Sequence, residues 1–113
     1  MMRSPLLMSV QPTLRLRAQS GPGMVDYVVP VEGGVVVGRS RECGLVLRPD
    51  DTVSRKHCSI VPVLGRWVVD DLQSKHGTTV NGVQIVPGQG VTLEDGDLLG
   101  IGDWTLLVEL ERL

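Results

Sequence analysis

Phenylalanine is absent from the 113 residues, and Trp67, Trp104 and Tyr27 are the only aromatic side chains. Stacking unpaired bases takes more aromatic surface than that, which argues against a single-stranded nucleic acid partner. Charge of one sign is equally scarce. Eleven basic and thirteen acidic residues leave a formal net charge of -2 with no long block of either sign, and duplex nucleic acid, bound through phosphate neutralisation, is an unexpected partner. The two cysteines, Cys43 and Cys58, are too few for the disulfide framework of small secreted domains. They read as reduced thiols in a cytoplasmic protein. No segment has the length of a membrane-spanning helix, and Pro5, Ser9 and Gln11 interrupt the apolar cluster Leu6-Leu7-Met8 before a signal-peptide core forms. No membrane partner is expected.

What the chain does have is valine, nineteen times against one alanine, together with fourteen glycines and seven prolines. β-Branched residues fit strands, while glycine and proline end them at turns. The length suits one domain with one core. Residues 1–12, with prolines at 5 and 12 and no sustained period, read as a flexible arm, and the folded domain spans 13–113. From Thr13 to Ala18 apolar and polar residues alternate, as in a strand wetted on one face. Tyr27–Val31 and Val35–Val37 flank Glu32-Gly33-Gly34 and suggest a hairpin, with the first strand at an edge because it carries Pro30. Further short strands are expected at 45–47, 58–63, 67–71, 79–80, 83–85, 98–101 and 104–110. The dipeptide Asn81-Gly82 suits the positive φ angles of a two-residue hairpin turn. About ten or eleven short strands divided by turns predict an all-β sandwich of two antiparallel sheets, since each half-buried sheet needs a partner for its apolar face.

The polar residues concentrate in the connections: Gly38-Arg39-Ser40, Thr52-Val53-Ser54-Arg55-Lys56-His57, Ser74-Lys75-His76-Gly77-Thr78 and Asn81-Gly82. In a sandwich the sheets supply rigidity and the loops supply function. The order and spacing of these motifs, followed by Asp95-Gly96-Asp97 and Ile101-Gly102, resemble the forkhead-associated (FHA) domain family from about Val35 to Leu110.

That resemblance implies a pocket for phosphothreonine on a partner protein, the target of a Ser/Thr kinase, with a small apolar recess for the threonine methyl. A phosphothreonine carries about -1.5 to -2 charges and three strong acceptors. Arg39 is placed to donate two parallel hydrogen bonds to it, Ser54 to donate its hydroxyl and backbone N–H, and Arg55 and Lys75 to add charge. His57 is implied to tie the binding loops together and not to act as a general base, and Gly38, Gly77, Asn81 and Gly82 to shape those loops. At His76 the family most often has asparagine. This residue is the expected clamp on the peptide backbone, and a neutral imidazole offers one donor and one acceptor with a reach unlike that of an amide.

Two other functions compete for the same residues. A β-sandwich interaction domain indifferent to phosphate is the alternative, opposed by the complete set Arg39, Ser54 and Arg55. An enzyme or metal centre built from Cys43, His57, Cys58 and His76 is opposed by spacing, since no pair has the separation usual in zinc sites. Neither catalysis, cofactor nor metal is expected.

Overall fold

The computed structural model describes residues 10–48 and 51–112. Alternation sets its longest strands. In β1 (Thr13–Ser20), Leu14 and Leu16 are fully buried while Thr13, Arg15 and Arg17 face water, and in β11 (Trp104–Glu111), Trp104, Leu106 and Val108 are buried in the same way. Burying such a leucine or valine contributes about 1.5–3 kcal/mol relative to leaving it exposed. The strands between are shorter: β2 (Asp26–Val28), β3 (Val35–Gly38), β4 (Leu45–Val46), β5 (Cys58–Val63), β6 (Arg66–Asp71), β7 (Thr78–Val80), β8 (Val83–Gln84), β9 (Val91–Thr92) and β10 (Leu98–Ile101). Among the described residues these eleven strands are the only regular elements.

They form a six-stranded sheet, in the order β2-β1-β11-β10-β7-β8, and a five-stranded sheet, β4-β3-β5-β6-β9. The inner faces meet in one core that includes Leu14, Leu16, Val37, Ile60, Trp67 and Leu106. Trp67 is fully buried, and its indole N–H donates to the Pro12 carbonyl at 2.8 Å, so the polar end of this core side chain is satisfied. The hairpins β5–β6 and β7–β8 turn on two residues each. Leu64-Gly65 has φ of 49° and 81°, and Asn81-Gly82 has 52° and 81°, the paired positive angles whose twist matches the flanking strands.

The structure departs from the sequence-based expectation in four places. Residues 1–9 of the expected arm lie outside the described residues, but its last residues are fixed: Pro12 is buried and the Gln11 amide donates to the Arg66 carbonyl at 2.7 Å. The segments around Glu32-Gly33-Gly34 do not pair with each other. β2 lies at the edge of the six-stranded sheet against β1, and β3 belongs to the other sheet. Val29, buried and bonded through its N–H to Leu14, is the last residue held by β1. Beyond it Pro30 has no N–H to continue the ladder, and the chain crosses the sandwich. The β3–β4 pair is parallel, with Val37 opposite Leu45 and Gly38 opposite Val46; the rest of the pairings are antiparallel. Finally β9 was unforeseen, a two-residue strand that pairs Val91 with Val69.

Candidate functional site

The parallel step between β3 and β4 makes residues 39–44 double back at one end of the sandwich. There they meet residues 47–48, 51–57 and 72–77, parts of the connections into β5 and out of β6. Backbone bonds fasten the first two loops: Arg39 N–H donates to the Ser54 carbonyl at 3.0 Å and Ser40 N–H to the Arg55 carbonyl at 3.1 Å. The approach leaves no room at Gly38, where a Cβ would overlap the Arg55 carbonyl oxygen. The thiol of Cys43 also donates to that carbonyl, at 3.1 Å.

His57 joins the second loop to the third. It is fully buried, its Nδ1 accepts from the Ser54 N–H at 3.0 Å, and its Nε2 lies 2.8 Å from the Gly77 carbonyl. A backbone amide can only donate, so Nδ1 carries no proton and Nε2–H donates to Gly77; the contacts themselves fix the neutral tautomer. Ser54 completes the junction, its Oγ accepting from the Lys75 N–H at 2.9 Å.

The geometry changes one expected role. The Ser54 backbone N–H is occupied by His57 and the Lys75 backbone N–H by Ser54, so neither is available to a ligand. The Ser54 hydroxyl keeps its own proton, which has no acceptor among the described residues, in a half-buried position between the loops. Arg39 is half-buried and its Nε donates to the Val53 carbonyl at 3.1 Å, while its two Nη groups have no partner among the described residues. Arg55, Lys75 and His76 are exposed. None of Arg39, Arg55 or Lys75 has an ion-pair partner among the described residues; the two pairs, Arg15–Asp26 and Arg17–Glu109, lie on β1, β2 and β11.

Asn81 and Gly82 do not join this cluster. They turn the chain at the far end of β7, where the Asn81 amide donates to Asp97 and accepts from the Leu98 N–H, each at 2.9 Å. Their connection to the loops is indirect, through β8, which returns Gln84 so that its amide lies against Gly77. Gly77, at φ +84°, is in a conformation that side chains disfavour, and a Cβ there would also crowd Gln84.

Asp71 was missed as a site residue. It is 3% exposed and accepts from the Ser74 N–H at 3.0 Å, the Ser74 hydroxyl at 2.5 Å and the Thr78 hydroxyl at 2.6 Å. Burial pushes its carboxyl up, but the Ser74 and Thr78 donors together hold it below the ordinary carboxylate range. It shapes residues 72–77 from beneath. The spacing Asp71-x-x-Ser74 is a side-chain-to-backbone turn signal that sequence alone contained. Among the described residues no three His, Cys, Asp or Glu side chains are grouped to hold a metal: His57 is spent on the loops, and Cys58 is fully buried in the core with its thiol pKa pushed up by burial, then by Asp71.

A sandwich of this topology with this order of loop motifs is similar to known proteins. The family model described as FHA domain matches residues 35–102, more than half of the chain. The chain belongs to the FHA domain family. The FHA domain-containing protein At4g14490 of Arabidopsis thaliana is 34% identical over 88% of this chain and 26% of its own length. A probable serine/threonine-protein kinase, fhkA of Dictyostelium discoideum, is 32% identical over 79% of this chain and 16% of its own length. This FHA domain thus spans about a quarter or less of the length of these relatives. A solved structure from a structural and functional analysis of phosphothreonine-dependent FHA domain interactions superposes with a TM-score of 0.78 at 32% identity, covering 89% of this chain and 99% of that one. No helix among the described residues is long and apolar enough to cross a membrane.

Proposed function

We propose that this FHA domain, residues 13–113 behind an arm of residues 1–12, docks proteins phosphorylated on threonine by a Ser/Thr kinase, as a non-enzymatic module of cytoplasmic signalling. The observation that carries the reading is the junction at Ser54. One residue is held by His57 through its N–H and by Lys75 through its Oγ, its hydroxyl proton has no acceptor among the described residues, and its carbonyl bonds the backbone of Arg39, whose Nη groups are unpaired there. A rigid hydroxyl flanked by unpaired cations is a receptor for a dianionic, multiply accepting group, because its dipoles and charges are oriented before the ligand arrives.

In this assignment Arg39, Ser54, Arg55 and Lys75 surround the phosphate and His76 contacts the peptide backbone. Gly38, His57 and Gly77 fix the loops by close approach and hydrogen bonding, while Asn81 and Gly82 act through the hairpin that brings Gln84 against Gly77. The fully buried Cys58, the nearly buried Cys43 and the absence of a disulfide between them suit a reducing compartment.

Calorimetry with phosphothreonine peptides and their unphosphorylated twins tests the proposal. The phosphorylated member alone is expected to bind, with the phosphoserine analogue weaker by roughly 1 kcal/mol for the missing methyl. Equal affinity for phosphorylated and unphosphorylated twins would identify a phosphate-indifferent interface instead.

A further inference from the structure

Charge is distributed unevenly over the molecule. Six of the eleven basic residues, Arg39, Arg41, Arg48, Arg55, Lys56 and Lys75, fall in the loops 39–57 and 72–77, which hold three acidic residues, Glu42, Asp50 and Asp51. The other five basic residues share the rest of the chain with ten acidic ones. The molecule is negative in sum and positive at its loop end, an arrangement that steers anions to that end. A single phosphate, at about -1.5 to -2 charges, is matched by Arg39 and Arg55 alone.

Arg48 stands out among the remainder by its geometry. Its Nε donates to the Arg39 carbonyl at 3.0 Å, just as the Nε of Arg39 donates to the Val53 carbonyl at 3.1 Å. Two guanidinium groups are thereby each pinned by one N–H to the backbone, and the Nη groups of Arg48 have no partner among the described residues. The backbone places the two close together. Leu47 N–H bonds the Gly38 carbonyl, so the chain leading to Arg48 runs beside the end of β3, while Val53 and Ser54 lie against Arg39 from the other loop. Paired backbones lie about 4.8 Å apart, and an extended peptide advances about 3.3–3.6 Å per residue. A ligand that sets its phosphate on Arg39 therefore passes Arg48 within a few residues.

We infer that Arg48 forms a second anion subsite, which reads a carboxylate or a second phosphoryl group on the partner close to the phosphothreonine. The inference rests on the phosphopeptide reading above and adds the partner's local sequence to it: a phosphothreonine with an acidic neighbour. Glu42 and Asp51 are exposed acids of the same loops, and acids beside a cationic subsite disfavour anions placed elsewhere on the loop end.

The test is a set of phosphothreonine peptides in which aspartate replaces a neutral residue at each flanking position in turn, titrated into the wild-type protein and into Arg48→Gln. In the wild type one or two positions should bind tighter by about 3- to 10-fold, the range from a good exposed ion pair to a charge-assisted hydrogen bond. In Arg48→Gln that gain should vanish, while the neutral-flanked peptide changes by less than about 2-fold. Phosphoserine at the responsive position distinguishes the two sources of charge. A larger gain than aspartate's assigns the subsite to doubly phosphorylated partners, and an equal or smaller one to acidic sequences. The inference is overturned if aspartate helps at no position, if the gain survives Arg48→Gln, or if Arg48→Gln weakens neutral and acidic peptides alike, which would make Arg48 a strut for Arg39. Failure of every phosphopeptide to bind would overturn the phosphopeptide reading and this inference together.

Discussion

Replacing Asp71 by asparagine separates a buried carboxylate that shapes a loop from one that merely fills space. Asp71 accepts three hydrogen bonds, two hydroxyl donors on Oδ1 and the Ser74 N–H on Oδ2. Asparagine is nearly isosteric and its amide oxygen can keep the hydroxyls, but its NH2 then faces the Ser74 N–H, donor against donor. One buried amide is left unsatisfied, at about 1–3 kcal/mol, and the two retained bonds lose their charge assistance, so the total is about 2–4 kcal/mol. Urea unfolding at neutral pH should show a loss of this size. Acidification supplies the second half. The Asp71 carboxyl in the folded protein lies below its ordinary value, raised by burial but lowered further by its donors. Its contribution is therefore fully present above the unfolded carboxyl value of about 3.9 and is lost as pH falls through the lower folded value. The stability gap between wild type and Asp71→Asn should hold constant from neutral pH to about pH 5 and close below about pH 4. Other carboxylates titrate in both proteins and cancel in the difference. A gap below about 0.5 kcal/mol at neutral pH, or one that does not change on acidification, would refute the assigned role.

Three further outcomes are expected. Leu64 is 85% exposed at φ 49° in a turn that favours asparagine or glycine, so Leu64→Asn should stabilise the fold by roughly 0.5–1 kcal/mol in urea unfolding without changing peptide affinity. Gly38→Ala should drive its methyl into the Arg55 carbonyl, part the first two loops and lower stability by about 1–3 kcal/mol, with phosphopeptide binding falling further than stability does. Arg39→Ala should cost about 2–5 kcal/mol of phosphopeptide binding, as loss of one partner from a desolvated charge pair does, whereas His76→Ala should cost about 0.5–1.5 kcal/mol, one neutral hydrogen bond; equal losses measured by calorimetry on folded protein would place His76 at the phosphate.

The strands were legible where the signal is local. Thr13–Ala18 alternates, Trp104–Leu110 is a mostly apolar run, and Asn81-Gly82 suits a two-residue turn, so their existence followed from pattern and φ preference. Pairing was not legible. β1 finds β11, with Thr13 opposite Glu111, and nothing in either segment names the other. The false hairpin at Glu32-Gly33-Gly34 had every local mark of a true one, and only the claim of β1 on Val29 breaks it. A two-residue strand such as Val91–Thr92 has no period to read.

The site divides in the same way. Arg39, Ser54, Arg55 and Lys75 were singled out as motif residues, and the fold brings their loops to one end. The motif does not say which donors the protein uses on itself. The Ser54 amide reads as a ligand donor until His57 is seen to occupy it, and the Ser54 hydroxyl oxygen takes the Lys75 amide as well. Asp71 bonds Ser74 and Thr78 in the third loop, and Arg48 is pinned to the Arg39 carbonyl, contacts that exist only after the loops close.

The antiparallel pairing of β1 with β11 also decides how this domain is mounted. Thr13 and Glu111 are neighbours across the ladder, about 5 Å apart. The eight residues of β11 carry the chain roughly 25 Å from the Trp104 end to the Glu111 end. At the Trp104 end, the Asp103 N–H touches the Thr52 hydroxyl at 2.9 Å, next to the binding loops. Entry and exit thus share one pole of the molecule and the loops occupy the other. Chain added before Thr13 or after Glu111 leaves from the base, so the domain can be inserted within a larger polypeptide like a socket on two adjacent wires, its opening turned away from whatever carries it.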